Sequence, residues 1–152
     1  LGLVGSEMCI RDSDINRKAV QGLKVAKGQE GYIEPVTECL EEAGQFSCWR
    51  PVAVYDGEKL IGFAMYCRWK DSPHERVWLD RLLIDARYQG KGYGKACLSK
   101  LLERLKAEYG CGEIYLSVFP ENKVAIRLYE EFGFRFNGEK DIHNEDVMVL
   151  VC

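Results

Sequence analysis

Past its first dozen residues the chain switches between two apolar rhythms, one of period two and one near 3.6, and the switches outline a fold. Val36, Cys39, Leu40 and Ala43 recur at helical spacing and predict a helix over Pro35–Ala43, with a shorter one before it over Ala19–Lys27. Pro51–Tyr55 and Leu60–Cys67, rich in branched and aromatic residues, flank Asp56-Gly57-Glu58-Lys59 and read as a hairpin. Arg76–Ile84 is a third strand. Cys97, Leu98, Leu101, Leu102, Leu105 and Tyr109 then mark a long amphipathic helix over Tyr93–Tyr109. Glu113–Phe119 alternates as a strand with Ile114, Leu116 and Val118 on one side. Ala125, Leu128, Tyr129 and Phe132 share a face of a helix over Asn122–Phe132, and Phe134–Phe136 and Val147–Val151 close the chain as strands. The order ααβββαβαββ predicts an α+β domain with a mixed sheet.

Composition narrows the classes. The 152 residues suffice for one domain with a real core, and 47% apolar with 30% charged residues excludes a disordered chain. Acidic residues outnumber basic ones by 24 to 21, which argues against a nucleic-acid partner and suits a cationic substrate. No apolar run approaches the ~18 residues of a membrane span. Seven cysteines, with no C-x-x-C pair and only two histidines, leave no metal site to expect. Their free use points to a reducing cytoplasm.

Residues 1–13 resemble a translated sequencing-adapter read-through and carry none of the parts of a secretory signal. They are expected to be a non-native leader to a single domain over 14–152. The alternative is a genuine N-terminal strand over Leu1–Val4.

The chemistry concentrates where the third strand ends at Ile84 and a loop bearing Gly90, Gly92 and Gly94 opens into the long helix. Glycines let a backbone come close to a ligand, and the unpaired N–H groups of a helix start make an anion site. The spacing fits neither a Walker loop nor the dinucleotide fingerprint. Taken alone, the three glycines could equally mark a tight turn.

Arg87-x-x-Gly90-x-Gly92 at a strand-to-helix junction, with Asn122-x-x-Ala125-x-x-Leu128-Tyr129-x-x-x-Gly133-Phe134 downstream, resembles the GNAT acyltransferase superfamily from about Val52 to Val151. The stretches Trp78–Ile84, Tyr88–Gly94, Ile114–Ser117 and Phe134–Glu139, with Gly31–Pro35 near the start, are similar to the bacterial spermine/spermidine (diamine) N-acetyltransferases. The resemblance implies a GNAT fold: a mixed, mostly antiparallel sheet with splayed central strands and flanking helices. It also implies acetyl-CoA as cosubstrate, with no metal. The backbone N–H groups of Gln89, Gly90, Lys91, Gly92, Tyr93, Gly94 and Lys95 would cradle its pyrophosphate, and Arg87 and Lys91 would add charge. Leu82, Leu83 and Ile84 would pair with the pantetheine, Asn122 would contact it, and Ala125 and Tyr129 would lie beside it near the sulfur. GNAT domains begin with a strand at the place the leader occupies, so the first strand is expected to be missing or replaced.

Attack by an amine on the thioester expels a thiolate, and a positioned phenol could protonate it, which makes Tyr129 the catalytic candidate. The competing reading packs Tyr129 into an apolar stripe with Ala125 and Phe132, and Asn122 could serve only as a helix N-cap. An alkylammonium of pKa ~10.4 must lose a proton first, at a cost of about 4.6 kcal/mol near neutral pH. Asp80, inside an apolar strand, needs a partner or a wet cavity and is a candidate for binding the amine. Its structural alternative is an ion pair with Arg76 or Arg81, although strand alternation should point Arg81 away. Glu34, with Glu30, could add negative charge for a polycation; the alternative for either is a solvated surface position.

The function expected is transfer of acetyl from acetyl-CoA to a primary amine, foremost a polyamine such as spermidine or spermine. Another small amine, a protein N-terminus, or a silent acetyl-CoA-binding module are the alternatives. Partners are a small-molecule amine, with neither nucleic acid nor membrane, and a homodimer is compatible with the family.

Overall fold

The period-two runs all enter one sheet. In the computed structural model, which describes residues 8–12, 17–33, 35–70 and 75–152, that sheet has seven strands. In chain order the elements are β1 (Met8–Asp12), α1 (Arg17–Gln21), α2 (Val36–Gln45), β2 (Arg50–Asp56), β3 (Lys59–Trp69), β4 (Arg76–Ile84), α3 (Tyr93–Tyr109), β5 (Glu113–Val118), α4 (Lys123–Glu131), β6 (Arg135–Lys140) and β7 (Asp146–Val151). The strands lie in the order β1-β2-β3-β4-β5-β7-β6, every neighbour antiparallel except β4 and β5. The GNAT fold expected from the motifs is therefore present.

Helices cover both faces. Leu98, Leu101, Leu102 and Leu105 of α3 bury one stripe against Val52, Ala64, Tyr66, Val77, Leu79 and Leu116. Each such side chain contributes roughly 1.5–3 kcal/mol by leaving water. On the opposite face Val36, Cys39 and Leu40 of α2 join Val20 and Leu23 against Ala53, Phe63, Met65 and Leu83.

Three boundaries differ from the sequence reading, each for a local reason. The first helix stops at Gln21 rather than Lys27, because tertiary bonds take the backbone at Lys24: its N–H donates to Asp85 Oδ2 at 3.1 Å and its carbonyl accepts from Ala86 N–H at 2.7 Å. The strand expected at Phe134–Phe136 runs instead from Arg135 to Lys140, with Phe134 fully buried just before it. The first strand, expected to be missing or replaced, is supplied by Met8–Asp12 pairing with Val52–Asp56. Met8 is buried there in a cluster with Val54, Ile61 and Tyr93. The alternative strand over Leu1–Val4 lies outside the described residues.

Two irregularities shape the site. Between β4 and β5 the ladder has one registered pair, Trp78 with Tyr115; beyond it, Leu79–Ile84 and Leu116–Val118 diverge. Opposite β3, Met65 pairs with Arg81 and Tyr66 with Leu79, so Asp80 is an extra residue, a β-bulge. The bulge inverts the alternation. Val77 and Leu79 face α3, whereas Leu83 faces α2.

Candidate active site

A cleft of about 700 Å³ passes through the gap between β4 and β5. One wing lies on the α3–α4 side and is lined by Leu82, Ile84, Gly94, Asn122, Ala125 and Tyr129. The other lies on the α2 side, lined by Glu42, Trp49, Trp69, Trp78, Asp80 and Arg81. The splay joins them, so a molecule in each wing would meet between the diverging strands.

The first wing begins at the loop from β4 to α3. Gly90 and Gly92 hold φ of 74° and 90°, the left-handed region that favours glycine, and Gly92 caps α3. Gly94 is helical, and a Cβ there would make an ordinary van der Waals contact with Leu128 at 3.5 Å, so neither its backbone nor its packing requires glycine. The amides of Tyr93, Gly94 and Lys95 open α3 with no acceptor within the helix. The Tyr93 side chain is no part of this wing: it is buried under the sheet, its hydroxyl donating to Asp56 at 2.8 Å. The Lys95 ammonium pairs with Glu131 at 2.9 Å, Lys91 lies over the Tyr88 ring, and Gln89 turns its own N–H back to Ala86 O. The Gln89 side chain instead holds Ile84 O at 2.9 Å, fixing the end of β4.

Sequence reasoning missed Asp85, which organises this loop. It is 3% exposed, and its carboxylate accepts from Lys24 N–H at 3.1 Å, Arg87 N–H at 3.0 Å and Arg87 Nε at 2.8 Å. Burial alone would raise its pKa, but the Arg87 side chain and these amides outweigh it and hold the carboxyl below the usual range. Its signal was an Asp directly before Ala-Arg-Tyr, the place of a cap. Arg87 itself stands mostly in solvent, held by Asp85 at the rim of the loop.

Further along the wing, Asn122 Oδ1 accepts the Ala125 N–H at 3.3 Å and caps α4, as one of the two readings expected. Tyr129 packs edge-to-face on Phe134, 5.8 Å between centroids, while part of it lines the cleft. Burial pushes its phenol up to about 12, so it keeps its proton at neutral pH.

The second wing is acidic and aromatic. The expectation that Arg81 points away from Asp80 is overturned: the guanidinium contacts the Asp80 carboxylate and reaches Glu42 Oε2 of α2 at 3.1 Å. The bulge is the cause, since it puts two successive side chains on one face. Arg76, the other partner considered, forms a two-pronged pair with Glu139 at 2.7 and 3.0 Å and lies over the Tyr115 ring. Counting the β6–β7 turn, five carboxylates of the described residues line the cleft against three cationic side chains, leaving it two negative charges. Glu34 lies outside the described residues. Glu42, Trp49 and Trp69 were not singled out from the sequence, because they gather only when α2, β2 and β3 pack. Among the described residues no cluster of His, Cys, Asp and Glu could hold a metal ion.

Comparison with known proteins identifies the family. Residues 19–134 match the model of the acetyltransferase (GNAT) family. The chain is 48% identical, over 90% of its length and 93% of the relative's, to a spermine/spermidine N(1)-acetyltransferase of Bacillus subtilis. Among solved structures, the spermidine N-acetyltransferase of Vibrio cholerae in complex with CoA and spermine superposes with a TM-score of 0.75, at 22% identity and 96% coverage of both chains. The PaiA N-acetyltransferase of Thermoplasma acidophilum in complex with coenzyme A gives 0.66, at 19% identity, over 95% of this chain and 99% of that one. The chain belongs to the GNAT family and is an acetyl-CoA-dependent N-acetyltransferase.

Proposed function

We propose that this enzyme acetylates a primary amino group of a polyamine, spermidine or spermine, with acetyl-CoA in the α3–α4 wing and the polyamine in the α2 wing. The observation that carries the reading is the second wing, where carboxylates in excess of cations stand among tryptophan side chains, an environment suited to an alkyl polyammonium. The name of the Bacillus subtilis relative supports it.

Acetyl-CoA brings an acyl group activated as a thioester, whose sulfur leaves as a thiolate. The chain supplies position and charge. The amides from Gly90 to Lys95 take the pyrophosphate at the start of α3, with Arg87 and Lys91 near it. The edges of Leu82, Leu83 and Ile84, unpaired toward β5, receive the pantetheine, and the free amide of Asn122 and the methyl of Ala125 flank it. Tyr129 donates a hydrogen bond to the leaving sulfur. A phenol near pKa 12 is about 3.5 units less acidic than an ordinary thiol at ~8.5, so complete transfer of its proton would be uphill by about 5 kcal/mol. Stabilising the thiolate by hydrogen bonding is therefore its larger role. Asp80 holds the incoming ammonium at the splay, and Glu34 adds negative charge. The reacting nitrogen must be neutral, so kcat/KM rises about tenfold per pH unit below the amine's own pKa.

A homodimer and a cytoplasmic setting belong to this reading. Light scattering in solution tests the first; the second is supported by seven cysteines present as thiols. No helix among the described residues is long and apolar enough to cross a membrane. The function is tested by release of free CoA with spermidine, spermine, an aminoglycoside and a peptide N-terminus, the products identified by mass. Monoacetylated polyamine is the expected product. Binding of acetyl-CoA without turnover of any amine would instead mean a silent binding module.

A further inference from the structure

The α2 wing continues past Asp80, away from the splay, to a second aromatic wall. Trp69 ends β3, paired with Arg76 at the start of β4. Its ring lies 6.3 Å from Trp49 and 5.9 Å from Phe46, centroid to centroid. Trp49 and Trp69 both line the cleft, and neither is fully buried. Three residues of β4 lie between Asp80 and Arg76, and because Asp80 is the bulged residue the distance is somewhat under the roughly 13 Å of four regular strand steps.

We infer that Trp49 and Trp69 form a subsite for the distal ammonium of the substrate and so select it by length. The inference rests on the polyamine reading and deepens it. An extended spermidine spans roughly 11 Å between its end nitrogens, at about 1.2 Å per bond. With one end nitrogen beside Asp80, the other arrives at the tryptophan wall, while a diaminopropane, at roughly 5 Å, ends well short of it. Indole faces are the strongest aromatic receptors for an ammonium, and the methylenes between the nitrogens gain from the same apolar surface. The excess carboxylates along the cleft carry the charge complementarity; the indoles register where the far charge falls. Arg81 already spans Asp80 and Glu42, so the near end of the wing is partly neutralised and the far end does the discriminating.

The test compares kcat/KM for spermidine and for diaminopropane, at saturating acetyl-CoA, in the wild type, Trp69→Leu, Trp49→Leu and Trp69→Phe. Loss of a partly dry cation–π contact should lower the spermidine-to-diaminopropane ratio about tenfold in each leucine variant. Trp69→Phe, which keeps an aromatic face, should recover most of the ratio, and KM for acetyl-CoA should stay unchanged. Equal losses on both amines, or an unchanged ratio, would overturn the subsite while leaving polyamine acetylation standing. A wild type that acetylates neither amine refutes the polyamine reading, and the subsite with it.

Discussion

Replacing Asp85 by alanine should separate what holds the β4–α3 loop, the proposed acetyl-CoA site, from what performs chemistry. The side chain is 3% exposed and accepts two backbone amides, Lys24 and Arg87, besides the Arg87 guanidinium. Arg87 is 70% exposed, so its ion pair counts for little in water. The two amides left without an acceptor dominate, at roughly 1–2 kcal/mol each, giving a total near 3 kcal/mol. For a domain of this size that lowers Tm by about 6–12 °C. Asp85→Asn keeps the oxygen that accepts both Arg87 bonds but turns an amide toward the Lys24 N–H, and should lose about half as much. Calorimetry reads the stability, and KM for acetyl-CoA should rise severalfold in Asp85→Ala while KM for the amine stays put. Because the folded carboxyl is held below its ordinary range, its stabilisation is fully present above about pH 5 and lost as pH falls through the depressed value. The wild type should therefore lose more Tm on acidification than Asp85→Ala. A destabilisation under about 1 kcal/mol, or identical acid dependence of the two proteins, would refute the reasoning.

Other expectations follow from single contacts. A Cβ at Gly62 would sit 2.5 Å from Leu83 O, so Gly62→Ala should displace the end of β4, costing roughly 2 kcal/mol by urea denaturation and raising KM for acetyl-CoA. Tyr129→Phe should lower kcat at least about tenfold with Tm nearly unchanged, since the hydroxyl has no hydrogen bond among the described residues. With its phenol near 12, Tyr129 should impose no alkaline fall in kcat below about pH 11. Burial holds the Cys97 thiol up at about 12, so alkylation near pH 8 should mark Cys152 at the exposed C-terminus and spare Cys97.

What could be read from the chain and what could not divides by range. The helix over Tyr93–Tyr109 and the strands from Arg50 to Ile84 follow from periodicity alone, and the glycines at 90 and 92 announced a loop whose φ values bear them out. Asp85 and Gly62 were visible in principle: one sits where a cap belongs, the other interrupts a strand, a mark of close backbone approach. The bulge at Asp80 has no such local mark, and so the facing of Arg81 was misjudged from simple alternation. The first helix ended early for a partner 61 residues away. Trp49, just before β2, and Trp69, at the end of β3, are brought together by the hairpin that the sequence already outlined, whereas Glu42 joins them only when α2 packs against the sheet, and spacing along the chain carries no trace of that.

The central claim is that one cleft hands an acetyl group from an anion-binding wing to a polycation-binding wing. The most direct measurement is kcat/KM for spermidine against a monoamine of equal length, at saturating acetyl-CoA and low and high salt. The account predicts that spermidine is preferred by at least about tenfold at low salt, and that the preference shrinks as screening grows. Equal rates for the two amines, or a preference indifferent to salt, would contradict it.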